Sequence, residues 1–489
     1  MTRIATLICL TSFVLLFAPA CGNDDGHQHH ADAGDNADAS VNAPTTYLFD
    51  SRFTPGTSSV SYPGQTFRHS LIWELNNYLA GLTDAVDTTP PADDATLAAL
   101  NFYFDFDSGA GGTVALGLVT SPPLAQTDFD SVSSGKDLRS KLAGNDSATD
   151  HMVWNTPGNF KGWSEGGSDA DTPTKLVQYW FGLVDDLAFQ RLTTPQLDPD
   201  GSPIGEVFVT AKGQDLRQLV QKFLLVAITF QQGLDDYMDN ATADKGLMSS
   251  NLQDGDNAYS KLGHAWDEGF GYFGAARDYN DYTDDELSSK GGRDDYQGYH
   301  DSDGNGAIDL LSEYNFGLAL NCAKRDLGSD ASAKTDYSKA AFDAFLAGRH
   351  LIASVDGELS ADQMTDLVAQ RDIIANTWER CLAATVVHYI NEVLADMAAF
   401  DTKEYSFADH AKHWSELKGF ALGFQFSPRS PMLESTRFAD LHGYLRDQPV
   451  LANDAGGSSA IAAYVSDLQA ARDLLKTAYG FADANVANW

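Results

Sequence analysis

Basic residues are scarce in this chain of 489 residues, which has 32 lysines and arginines against 69 aspartates and glutamates. The resulting formal charge of -37 repels nucleic acid and anionic lipid, so we expect no nucleic-acid partner. Two signature motifs are also absent. Without a Walker loop or an H-E-x-x-H sequence, nothing marks a P-loop nucleotide enzyme or a zincin.

Long apolar runs are missing after the N-terminus. The opening MTRIATLICLTSFVLLFAPAC has a basic residue, an apolar run and small residues before a cysteine, which predicts a signal peptide at 1–20. FAPAC resembles a bacterial lipobox, with lipidation at Cys21, and the polar residues 21–44 predict a disordered tether. We therefore expect a lipoprotein of the bacterial cell envelope, held at the outer membrane through its lipid alone, on the periplasmic or the surface side.

Only four cysteines are present, and Cys9 and Cys21 belong to the signal and the anchor. Cys322 and Cys381 remain, in a compartment that permits disulfides. They either pair or stay as two separate buried thiols, because sequence does not give the distance between them.

What the chain does have is helical periodicity. Apolar residues at three- and four-residue spacing predict a helix over 65–82, and similar patterns follow it. Ser360 with Gln363 forms a variant capping box before a very long helix. The clearest further helices are expected at 215–238, 257–272, 309–327, 333–354, 361–400, 407–424 and 458–479.

Residues 83–172 are rich in Gly, Ser, Asp and Pro and predict a large surface excursion with short helical pieces. A small strand pair around GTVALGLVT is an alternative there. The fold class expected is all-α, with an N-terminal helical bundle at 45–250, a C-terminal bundle at 251–489 and long Gly/Asp-rich surface loops.

Two helices carry a similar order of residues. GHAWDEGFGYFG, from Gly263, and HWSELKGFALGFQF, from His413, both run His, Trp, carboxylate, Gly-Phe. The repeat suggests two bundles related by a pseudo-twofold duplication. Glycines inside the first helix cost stability, so either another group approaches the backbone closely or the helix ends there.

Each copy places an imidazole and a carboxylate on one helix face. His264 and Glu268 are four residues apart, His413 and Glu416 are three apart, and Asp267 is close by. Facing helices build transition-metal sites from such donors, so these five residues are candidate ligands of iron or another transition metal. The alternative is a buried His–Glu hydrogen bond with a tryptophan packed over it.

The stretch HDSDGNGAIDLLSE predicts a calcium loop over 301–313 that is similar to an EF-hand. Its departure from the pattern is that Ser312 stands at position twelve and the glutamate follows one residue late. An acidic turn whose aspartate caps the next helix is the alternative. The candidate calcium ligands are Asp301, Asp303, Asn305, Ala307 through its carbonyl, Asp309 and Glu313.

These stretches, together with YLFDSRF, SSVSYPGQTFRHSLIWEL and FLAGRHLI, resemble the secreted bacterial family named domain of unknown function 4856. The resemblance runs from Thr46 to the C-terminus and implies no activity. More distantly, the His–carboxylate helices resemble imelysin-like lipoproteins, with Ala411 where that family's G-x-H-x-x-E motif has glycine. This second resemblance implies a role in iron uptake, an outer-membrane uptake receptor as partner, and an alternative activity as a metal-dependent peptidase.

The sequence therefore predicts an exported, lipid-anchored helical protein that binds a metal ion and is not an enzyme. A metal-dependent peptidase of imelysin type and a non-catalytic structural or interaction module stabilised by calcium are the alternatives. A peptidase needs both an open metal position and a general base, and the sequence does not allow both to be assigned.

Overall fold

A computed structural model describes residues 44–107, 109, 113–146 and 149–489. This part of the chain is mostly helical, with isolated β-bridges and no sheet, which confirms the all-α class. None of its helices is long and apolar enough to cross a membrane. We number its fourteen α-helices in chain order: α1 Pro63–Thr88, α2 Ala95–Phe104, α3 Phe129–Val132, α4 Pro173–Gln190, α5 Leu216–Leu224, α6 Lys261–Phe273, α7 Asp284–Leu287, α8 Gly317–Leu327, α9 Tyr337–Ser354, α10 Ala361–Ala398, α11 Phe407–Ala421, α12 Arg437–Leu445, α13 Gly457–Tyr479 and α14 Asp483–Asn488.

Helix α10 is the longest element, with 38 residues. It begins at the predicted capping box, in which the Ser360 hydroxyl accepts from the Gln363 amide and the Gln363 side chain accepts from the Ser360 amide. A disulfide joins Cys322 of α8 to Cys381 of α10, with their Cα atoms 4.9 Å apart. The two cysteines therefore pair, and they staple a short helix to the longest one.

The expected helix at 215–238 changes form along its length. Helix α5 covers its first part, and two wider π-helical segments follow at Leu225–Phe230 and Gln232–Tyr237. Gly233 lies in the second segment, where an added Cβ would come within 2.6 Å of the Trp378 ring. This glycine lets the indole of α10 pack directly on the backbone.

The glycines of α6 allow close packing in one place and end the helix in another. A Cβ on Gly271 would lie 2.7 Å from the Tyr62 Cβ, so the glycine allows close packing at the start of α1. Gly274 has a φ of +90° and ends the helix in the left-handed conformation that glycine adopts without strain. Both alternatives, close approach and helix end, are realised in this helix.

The excursion at 83–172 contains α2, α3 and short 3₁₀ turns, and Ala115 forms a single bridge to Asp128 where the strand pair was considered. The described chain forms one compact unit within Asn42–Trp489. Helices from both sides of residue 250 pack together in it, α1 on α6 and α5 on α11. One compact unit can hold two bundles, so the division at 250 and the duplication stay predictions. The signal peptide, Cys21 and the tether before Pro44 lie outside the described residues.

Candidate functional site

The acidic loop, residues 301–313, brings three carboxylates together. Oxygen atoms of Asp301, Asp303 and Glu313 lie within 4.8 Å of one another. Three negative charges at this separation repel one another unless a cation lies between them. Calcium prefers carboxylate and carbonyl oxygens, and roughly six to eight of them surround the ion. The acidic loop therefore offers oxygen atoms of the kind that calcium binds.

Backbone amides shape the first part of the acidic loop. The two oxygens of Asp301 accept from the Asn305 amide at 3.0 Å and from the Gly306 amide at 2.9 Å. Gly306 has a φ of +85°, which permits the sharp turn that the sequence predicts there. Donation from the Gly306 amide lowers the pKa of Asp301, so this carboxylate stays ionised and attractive to a cation.

Glu313 reaches back across the acidic loop although it comes one residue late for the EF-hand pattern. Its side chain is buried, and Oε1 accepts from the Ser302 amide at 2.7 Å and from the Ser302 hydroxyl at 2.8 Å. Oε2 accepts from the Asp309 amide at 2.8 Å. These bonds fix the carboxylate beside Asp301 and Asp303, as a late ligand of the same ion would require.

Of the other candidate calcium ligands, Asp309 lies outside the carboxylate group. Asp309 Oδ1 accepts from Gln126 Nε2 at 2.7 Å and Oδ2 from the Ser312 hydroxyl at 2.7 Å. Asn305 Oδ1 accepts from the Ala307 amide at 2.9 Å. These side chains hold the turn, and the next helix begins only at Gly317, so the loop lacks the flanking helix of an EF-hand.

Hydrogen bonds dock the acidic loop on the surface excursion. Ala125 donates its amide to the Ile308 carbonyl at 2.9 Å, and Ile308 donates to the Pro123 carbonyl at 2.8 Å. The Leu310 amide donates to Gln126 Oε1 at 2.9 Å. An ion in the acidic loop would therefore also stabilise the excursion segment at 123–126.

The first histidine helix, α6, directs its aspartate into an ion pair. Asp267 is fully buried and accepts from Arg349 Nε at 2.7 Å and from the Tyr47 hydroxyl at 2.9 Å. His264 donates from Nδ1 to the Ser61 carbonyl at 3.0 Å, and its Nε2 is 3.9 Å from Glu268 Oε1. Asp267 therefore ties α6 to Arg349 and Tyr47. The distance between His264 and Glu268 is too long for a hydrogen bond.

The second histidine helix, α11, pairs its two candidates separately. His413 donates from Nδ1 to Asp396 Oδ2 at 2.8 Å, and Glu416 lies 3.2 Å from Lys222 Nζ. Burial opposes protonation of His413, but the hydrogen bond to Asp396 and the negative charges of Asp396, Glu392 and Glu416 together outweigh burial and raise the pKa of His413. A raised pKa means that protons compete more strongly with a metal ion for the imidazole lone pair.

The five candidate transition-metal ligands, His264, Asp267, Glu268, His413 and Glu416, do not converge. Across the described part of the chain, the acidic loop holds the only group of three or more His, Cys, Asp or Glu side chains whose ligand atoms lie within 4.8 Å of one another. The expected shared point between the two histidine helices is not formed. The reason is that each helix turns its acid or imidazole to a partner of its own.

A cavity that sequence reasoning missed opens beside α10. Its volume is about 260 Å³, and Glu379, Arg429 and Tyr479 are among its lining residues. Glu379 Oε1 accepts from the Tyr479 hydroxyl at 2.7 Å and from the Ser430 hydroxyl. Burial raises the pKa of Glu379 to about 7. The sequence signal for this site is Glu379 itself, a single glutamate on an apolar face of α10.

The fold and the acidic loop define an all-helical protein with one disulfide and one calcium-type carboxylate group in its described part. Comparison with known families gives a more particular result. Residues 200–299 match the family model described as "Domain of unknown function (DUF4856)", which confirms the resemblance expected from the sequence. No curated protein and no solved structure matches the chain.

Proposed function

We propose that this protein is an exported, non-catalytic module that binds one Ca²⁺ in the acidic loop. The observation that carries the proposal is the group formed by Asp301, Asp303 and Glu313, whose oxygens approach within 4.8 Å. Oxygen-only donors suit calcium better than iron, which proteins commonly hold with nitrogen or sulfur as well.

Calcium has a structural task in this proposal. The acidic loop bonds through Ile308 and Leu310 to the excursion at 123–126, and Glu313 anchors it in the protein interior. An ion that draws the three carboxylates together therefore fixes the excursion to the helical body. The protein then acts as a structural or interaction module, and calcium keeps the outer surface of this module rigid.

Export supports this role. The disulfide between Cys322 and Cys381 suits an oxidising compartment, and extracellular calcium concentrations suit sites of modest affinity. The signal peptide at 1–20 and the lipid at Cys21 remain sequence-based predictions. In this proposal the lipid holds the module at the outer membrane, on the periplasmic or the surface side.

Calcium titration of the metal-free protein by isothermal calorimetry tests the proposal. We expect one site, and we expect Glu313→Gln and Asp303→Asn each to weaken it by about tenfold or more, since each removes a charged ligand. Asp343→Asn is the matched control, because Asp343 is exposed and pairs with Lys339 away from the acidic loop. A wild-type protein that takes up no calcium would refute the proposal.

Iron capture is the second candidate and stays a prediction, because His264, Glu268, His413 and Glu416 do not form a common site. A peptidase built on the same residues has the same weakness. Titration with Fe²⁺ and Fe³⁺ tests both, and binding that His413→Ala or Glu416→Ala abolishes would restore the iron proposal.

A further inference from the structure

Four basic side chains gather in a strongly acidic protein. Lys222 belongs to α5, Lys290 follows α7, and Lys324 and Arg325 belong to α8. Helix α8 packs on α7 and α10, α10 packs on α11, and α11 packs on α5, so these helices are neighbours around α10 and α11 and the charges of Lys222, Lys290 and Arg325 act on Lys324. We call them the basic cluster. Loss of solvation, followed by the positive charges of the other three members, lowers the pKa of Lys324.

Arg325 is the buried member of the basic cluster and has no partner. Its exposed fraction is 9%, and its Nε is shielded from solvent with no acceptor in reach. None of the ion pairs formed within the described ranges includes its guanidinium. Burial lowers the pKa of Arg325 only to about 10, so it is charged at neutral pH. A buried guanidinium without an anion is costly unless a ligand supplies one.

No carboxylate in the described part of the chain forms an ion pair with Arg325. Glu416 pairs with Lys222 at 3.2 Å and Asp396 pairs with His413 at 2.8 Å. Glu392 lies 3.9 Å from His388, whose pKa burial lowers to about 3, so Glu392 keeps an uncompensated negative charge. Lys290, Lys324 and Arg325 have no ion pair among the side chains that the structure describes. These three positive charges face the one negative charge of Glu392, so two positive charges remain in excess at one place, in a chain whose overall charge is -37.

The disulfide holds this region in a fixed geometry. Cys322 is one helical turn before Arg325 on α8, and Cys381 is two turns before His388 on α10. The disulfide therefore joins α8, which carries Arg325 and Lys324, to α10, which packs beside it. A preformed arrangement of this kind lowers the entropy lost on binding a small ligand.

We propose that the basic cluster binds a small oxyanion, a carboxylate or a phosphate, with Arg325 as its principal donor and Lys324 and Lys290 as supporting charges. The guanidinium fork matches the two oxygens of such a group, and its partly desolvated position strengthens the hydrogen bonds. This site is independent of the acidic loop and of its calcium.

Calorimetric titration of the full chain with inorganic phosphate and, separately, with succinate tests the proposal. The buffer is free of calcium, so that phosphate bound through the acidic loop does not contribute. We expect one anion per chain for at least one probe, and the stronger probe identifies the class of oxyanion. A dissociation constant of ~10 mM corresponds to a binding free energy of roughly 3 kcal/mol, and the proposal fails if neither probe binds at that concentration.

Two variants locate the binding. Arg325→Lys keeps the charge but removes the fork, and we expect about tenfold weaker binding from it. Lys324→Gln changes an exposed residue, so it is expected to fold normally and to weaken binding several-fold through lost charge. Lys339→Gln is the matched control, since Lys339 is an exposed lysine paired with Asp343. Wild-type affinity in Lys324→Gln and Arg325→Lys would overturn the assignment, and if Arg325→Lys does not fold, Lys324→Gln decides alone.

Discussion

The Glu313 carboxylate accepts a hydrogen bond from the Ser302 amide at 2.7 Å, across eleven residues of the acidic loop. This bond explains how a glutamate at the thirteenth position can do what the EF-hand pattern assigns to the twelfth. The bond places Glu313 beside Asp301 and Asp303, while Asp309 is held by Gln126. Asp309 therefore lies outside the carboxylate group, and Glu313 is the third carboxylate of the calcium site that we propose.

Calcium should raise the melting temperature of the protein. Binding to the folded state alone stabilises it by about 2.7 kcal/mol when the free ion exceeds its dissociation constant a hundredfold. Differential scanning calorimetry with calcium and with a chelator measures the shift. Asp303→Asn should remove most of it and Asp343→Asn none, and equal shifts in both variants would contradict the site.

The buried ion pair of Asp267 and Arg349 should be needed as a pair. Asp267→Asn leaves a buried guanidinium without a counter-charge, so we expect a loss of about 3–5 kcal/mol in the free energy of unfolding. Arg349→Met combined with Asp267→Asn should recover part of the loss. Urea unfolding of both single variants and the double variant measures the coupling, and additive losses would show that the pair acts as two separate contacts.

Stability should depend on pH through Glu379. Its pKa is raised by burial to about 7 in the folded protein, so folding favours the protonated form. The cost of ionising it is absent below the unfolded pKa of about 4.3 and grows as the pH rises toward 7.

Glu379→Gln removes this cost while keeping an acceptor for Tyr479 and Ser430. The variant should match the wild-type protein near pH 4 and exceed it at pH 8 by a few kcal/mol. Thermal unfolding at both pH values measures the difference. A difference that does not change with pH would mean that Glu379 titrates normally.

Loss of the disulfide should lower stability. Cys322 and Cys381 are separated by 59 residues, and cross-linking a loop of this length stabilises a folded protein by about 4 kcal/mol. We expect the double alanine variant to unfold at lower denaturant concentration. Wild-type protein unfolded with a reductant is the control, and it should show a loss of similar size.

Local features of this fold could be predicted, and partners distant in sequence could not. Helices α1 and α10 follow from apolar spacing and from the Ser360 capping box, which are visible within a few residues. The π-helical segments at Leu225–Phe230 and Gln232–Tyr237 could not be foreseen, because nearly every residue there is buried and no amphipathic period remains. The expected helix at 309–327 begins eight residues late, since the acidic loop uses those residues for its turn.

The candidate site divides in the same way. The carboxylates of the acidic loop were predicted because its twelve or thirteen residues are continuous in sequence. The metal role of Asp267 was inferred from its own helix, but its partner Arg349 lies 82 residues away. Glu379 likewise owes its raised pKa to burial among elements up to 100 residues distant, which no short motif records.

Anomalous diffraction data from crystals grown at saturating calcium test most directly whether the acidic loop binds Ca²⁺. We predict one anomalous peak in the acidic loop, about 2.3–2.6 Å from oxygens of Asp301, Asp303 and Glu313. A peak between α6 and α11, or a saturated protein whose acidic loop contains no peak, would contradict it.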